Sequence, residues 1–166
     1  RLFCTSPLVT TPAYAQVATW TGNASSSWSG TNNWSTRPQT TGTWGLVFGG
    51  SQQTTSTNDI GTITISSLQF TNDGSAGKTA VFNLSGSSLA LTSAAITTSS
   101  TTAGALASVN GDTLGMPLSL TGANAVTLGA GHNLTITGDI SGGGSLGFAA
   151  SGGMPYAYLT GNNTFS

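Results

Sequence analysis

A chain of 166 residues is one domain's length, yet only 4% of it is charged and its formal net charge is −1, where an ordinary globular chain carries roughly 25% charged residues. Arg1, Arg37 and Lys78 are its only strong cations, which excludes nucleic-acid binding by phosphate neutralisation and electrostatic attachment to a membrane surface. Solubility must rest on hydroxyls and amides, since Ser and Thr supply 52 residues and there is no Glu; the 37% apolar content, regularly spaced, sets the chain apart from a disordered one.

In chain order, residues 1–15 read as the C-terminal part of a signal peptide. Leu2, Phe3, Cys4, Leu8 and Val9 are the remains of an apolar region, and Pro12-Ala13-Tyr14-Ala15-Gln16 places Ala13 and Ala15 where a signal peptidase accepts only small side chains. Cleavage there starts the mature chain at Gln16 and removes Cys4, the only cysteine, leaving no thiol chemistry. No stretch approaches the ~18 consecutive apolar residues of a membrane-spanning helix.

Residues 16–50 hold all four tryptophans, Trp20, Trp28, Trp34 and Trp44, among Gly, Asn and Ser. Two readings stay open for this segment: a cap over the end of the fold, or a surface on which flat indoles stack against sugar rings. Residues 51–166 then carry apolar doublets at i and i+2: Ile63/Ile65, Leu68/Phe70, Phe82/Leu84, Leu89/Leu91, Leu118/Leu120, Val126/Leu128, Leu134/Ile136 and Leu146/Phe148. Period two is the mark of a strand with one buried face. Many short strands separated by little except turn residues predict a β-solenoid, each coil burying its inner face on the next. The stretches around Ser51 to Asn58 and Thr97 to Thr102 are the expected mobile segments. Leu159 to Ser166 opens a further strand and turn, so the coils read as truncated at the C-terminus.

Pro117-Leu-Ser-Leu-Thr-Gly122 and Val126-Thr-Leu-Gly-Ala-Gly-His-Asn-Leu-Thr-Ile-Thr-Gly-Asp-Ile-Ser-Gly-Gly-Gly-Ser-Leu146 resemble the lead-in to the autotransporter-associated β-strand repeat. Leu159-Thr-Gly-Asn-Asn-Thr-Phe-Ser166 is similar to the opening of the repeat itself, and Trp20-Thr-Gly, Trp28 and Asn33-Trp34-Ser35 resemble the segment that follows the signal in such proteins. One departure is Gly147 to Tyr158, which carries Met154-Pro155-Tyr156 where that family has Lys-Thr-Gly-x-Gly-Thr-Leu. The resemblance implies an all-β, right-handed parallel β-helix exported by Gram-negative bacteria, the passenger part of a secreted or outer-membrane surface protein. Its membrane attachment would come only from a C-terminal translocator or anchor outside this sequence.

Few residues are chemically equipped for catalysis. Asp59, Asp73, Asp112 and Asp139 are the only acids, and a polysaccharide-cleaving carboxylate pair would need Asp112 and Asp139 to converge. Asn110-Gly111-Asp112 and Gly138-Asp139 read instead as turns, where Asp bonds its own backbone. A single Asn110 to Gly115 segment is too little for a calcium β-roll, which needs tandem copies. His132 is the sole histidine and has no second ligand for zinc or partner for a triad; it is expected in an exposed turn after Gly131. Lys78, in a Gly-rich loop, lacks the spacing of a phosphate-binding loop. Asn-x-Ser/Thr triplets are as frequent as composition alone produces and give no evidence of glycosylation. The expectation is a non-enzymatic surface stalk or adhesive passenger without cofactor or metal, with glycans or cell-surface ligands as partners. The alternative is a secreted polysaccharide-binding or polysaccharide-cleaving β-helix.

Overall fold

The structure is a computed structural model that describes residues 15–72, 79–99 and 111–165; Ala13, Cys4, Asp73, Lys78 and Asn110 lie outside them. Two sheets wind along one axis. The first is built from β1 (Gln16–Thr19), β2 (Trp44–Phe48), β4 (Ile63–Phe70), β6 (Leu89–Thr98), then β8 (Leu118–Thr121) with β9 (Ala123–Leu128), and β11 (Ile140–Gly142) with β12 (Ser145–Ala150). The second stacks β3 (Thr55–Asn58), β5 (Asn83–Gly86), β7 (Asp112–Leu114), β10 (Leu134–Ile136) and β13 (Ala157–Leu159). Pairing along both is parallel. Parallel neighbours need a long connection between them, and from β2 onward the connection between successive coils of the first sheet carries a strand of the second. The chain is an all-β solenoid of about 5 turns.

Coil length changes along the axis. Leu134 stands over Asp112 and Ala157 over Leu134, a repeat of 22 and 23 residues. Asn83 stands over Thr55 and Thr113 over Asn83, a repeat of 28 and 30. The surplus is one of chain length: 12 residues separate β4 from β5 and 13 separate β6 from β7, against five between β9 and β10.

Inward positions are those that the period-two pattern predicts, with a phase change within β4 and another within β6. In β4, Ile63, Ile65, Leu68 and Phe70 are all buried, and a bulge between Ile65 and Ser67 shifts the alternation from odd to even positions. The next coils bend at the equivalent place, at Ser93 with φ 47° and at Gly122 with φ 72°. One coil further, Gly142 has φ 109°, and a Cβ there would drive into the carbonyl oxygen of Leu120 beneath it. Only glycine meets both conditions.

Every doublet from Ile63/Ile65 to Leu134/Ile136 is buried, but Phe148 is 43% exposed and Leu146 only partly buried. Both stand in register over β9, Phe148 on Val126, and no described part of the chain lies above them. The segment around Ser51 to Asn58 contains β3, paired with β5 along its whole length. Within residues 16–50, Leu46 stands over Leu68 and Phe48 over Phe70, so β1 and β2 continue the first sheet and share its hydrophobic core.

Candidate functional site

Four groups of residues could carry chemistry: the tryptophans, the Asp112 and His132 pair, a groove beside Arg37, and two tyrosines on the last coil. The tryptophans are interior. Trp28 is fully buried, Trp20, Trp34 and Trp44 are at most 5% exposed, and Trp20, Trp28 and Trp34 surround Phe48 with ring centroids 6.0, 5.5 and 5.4 Å from it. Each indole N–H is satisfied: Trp28 donates to Ser56 Oγ at 3.0 Å, Trp34 to the Trp28 carbonyl at 3.0 Å, Trp44 to the Thr41 carbonyl at 3.0 Å, and Trp20 to the Gln52 carbonyl at 3.3 Å. Buried Asn33 locks the loop that carries them, accepting from the amides of Ala24 and Ser25 and donating to Ser25 Oγ and the Ser27 carbonyl. Indole faces packed this way are closed to a sugar ring, which corrects the stacking assignment of Trp20, Trp28, Trp34 and Trp44. Stacking needs an open face, and core packing has taken it.

Asp112 and His132 also lie inside, which corrects the expectation of an exposed turn at His132 and of a self-bonded turn at Asp112, the first residue of β7. Asp112 opens β7 with no exposed surface, and His132 is 1% exposed. Their side chains meet at 2.7 Å between Nε2 and Oδ2, Asp112 Oδ1 accepts from the Phe82 amide at 2.7 Å, and His132 Nδ1 lies 3.2 Å from the Ser99 carbonyl oxygen. The pair is held in place because both partners are mutually satisfied; alone, either would be an uncompensated buried polar group.

The other described carboxylates also bind backbone. Asp139 stays at an exposed turn, accepting from the Asn162 amide of the following coil at 2.9 Å. Asp112 is the first residue of β7 and Asp139 follows the last residue of β10, so the structure places them at opposite strand ends of the second sheet and does not bring them together. Asp59 accepts from the Ser29 amide at 2.8 Å and the Ser29 hydroxyl at 2.6 Å. Partial burial opposes its charge, but the Ser29 hydrogen bonds prevail and hold its pKa below the ordinary carboxylate value. Beside it, Ser29, Arg37, Pro38, Gln39, Thr40 and Ile60 line a shallow groove of about 320 Å³, and Arg37 donates to the Ser29 carbonyl at 3.1 Å. Among the described residues no group of three or more His, Cys, Asp or Glu could hold a metal ion.

The aromatic rings that do face outward are Tyr156 and Tyr158, 54% and 48% exposed, with centroids 6.0 Å apart and planes at 31°. Sequence reasoning passed over them; the signal was the Tyr-x-Tyr alternation around Ala157, which packs against the core. Ala15, the described member of the cleavage pair Ala13 and Ala15, is exposed beside β1. No family model matches the chain, and neither the curated proteins nor the solved structures contain a significant match to it.

Proposed function

We propose that this chain belongs to an exported bacterial surface protein and acts as a non-enzymatic β-solenoid, an adhesive or structural stalk held at the outer membrane by a translocator or anchor outside this sequence. One observation carries the reading: the described carboxylates and the histidine are engaged in holding coils together, while the outward column of the second sheet from β3 to β10 is made of neutral hydroxyls and an amide. Thr55, Asn83, Thr113 and Thr135 form one outward column of the second sheet. The carboxylates of Asp59, Asp112 and Asp139 bind protein amides, which is work a scaffold needs. The signal-like Ala13-Tyr14-Ala15 pattern and the resemblance to autotransporter repeats support export.

Protease treatment of intact cells that express the protein tests this. The expected result is digestion of the chain while a cytoplasmic marker stays whole. Protection until the cells are lysed would overturn the reading.

A further inference from the structure

The outer face of β13 differs from every other part of the second sheet in carrying aromatic rings. Alternation fixes their direction: Ala157 packs inward against the core, so Tyr156 and Tyr158 stand on the outward side. Tyr158 lies in register over Thr135, which lies over Thr113. The backbone beneath the rings is held on both sides, the Tyr156 carbonyl accepting from the Leu134 amide at 3.0 Å and the Tyr156 amide donating to Asn133 Oδ1 at 2.8 Å. Two large rings are therefore presented side by side on a fixed strand. An exposed tyrosine gives contact area with only two rotatable side-chain angles to immobilise.

We propose that Tyr156 and Tyr158 form a stacking platform for a neutral polysaccharide, the apolar faces of successive sugar rings lying on the two phenol rings and their hydroxyls bonding to the outward Thr135 and Thr137 of the coil below. The ligand class follows from charge. The column beside the platform, Thr135, Thr113, Asn83 and Thr55, offers hydroxyl and amide groups only, so nothing there compensates an anionic or cationic partner, whereas uncharged sugar hydroxyls match it group for group. The ring separation of 6.0 Å is of the size of one sugar repeat, which favours a chain over a single monosaccharide. The inference rests on the adhesive form of the surface reading and gives it a ligand class.

Titration calorimetry of the full chain with cellohexaose, mannohexaose and, as the charged control, hexagalacturonate is the test. At least one neutral hexasaccharide is expected to bind, and the control not. The variant Tyr156→Asn/Tyr158→Thr copies Asn133 and Thr135 of the coil beneath, so the fold should be kept, and binding should weaken at least about tenfold, the scale of one lost aromatic contact. Tyr158→Thr alone should weaken it in the same direction, and Tyr158→Phe should leave it nearly unchanged, because stacking survives loss of the hydroxyl. Absence of binding to both neutral sugars, equal binding by the double variant, or preference for the uronate would each overturn the platform. None of these results would alter protease accessibility on cells, so the platform and the surface location fail separately.

Discussion

Trp28→Ala is expected to cost about 3–5 kcal/mol of folding stability, the range for emptying a fully buried large aromatic site. The indole has no exposed surface, lies with its ring centroid 5.5 Å from that of Phe48 and meets Trp34 edge-on at 5.2 Å. Truncation would open a cavity at the first turn of the solenoid and strip the buried Ser56 hydroxyl of its indole donor. Against a total of about 5–15 kcal/mol for a typical domain, that loss leaves the chain marginal. Equilibrium urea unfolding measures it, with a lower midpoint and an unchanged slope expected. Trp28→Phe should lose less, because it keeps ring volume while giving up the hydrogen bond. A change within about 0.5 kcal/mol, the usual effect of a surface substitution, would mean that Trp28 is a surface residue after all.

The second large effect is expected at the buried pair. His132→Leu leaves the Asp112 carboxylate inside the protein with Oδ2 unpaired, and Asp112→Leu strands both the imidazole and the Phe82 amide. Breaking one side of a buried pair costs about 3–5 kcal/mol. The double variant Asp112→Leu/His132→Leu removes both polar groups together, so its loss should fall well short of the sum of the two single losses. Chemical denaturation of all four proteins closes the cycle, and a coupling of about 1 kcal/mol or more in favour of the native pair is expected. Additive losses would show that the two side chains do not depend on each other. The chemistry is structural: the pair ties β7 to the corner before β10 and, through Phe82, to the coil beneath.

Much of this architecture was legible in the doublets, because a period of two survives in a solenoid whose inner face is continuous. The bulge between Ile65 and Ser67 was not, since a single inserted residue reverses the alternation without changing composition. Asp112 and His132 were read as turn residues from their Gly neighbours, although each stands two positions before an inward leucine, Leu114 and Leu134. Extending the alternation backwards would have turned both side chains inward. A polar pair satisfied across coils has no hydrophobic signature, so the pattern alone could not show it. The tryptophans were legible only as a choice between lid and surface; the sequence has no signal for the way three of them pack around Phe48. Phe148 has the same spacing as the buried doublets, but burial depends on what lies over its coil and not on its own sequence.

The Trp-rich segment is built into the solenoid and shares its hydrophobic core. Native-state hydrogen exchange tests it most directly, followed at Trp20, Trp28 and Leu46 and, in the coils, at Leu68 and Leu91. The account expects amides of the first group to exchange as slowly as those of the second and to lose protection together in one cooperative unit. Exchange of Trp20 and Trp28 at the rate of an exposed loop, with the later coils still protected, would contradict it.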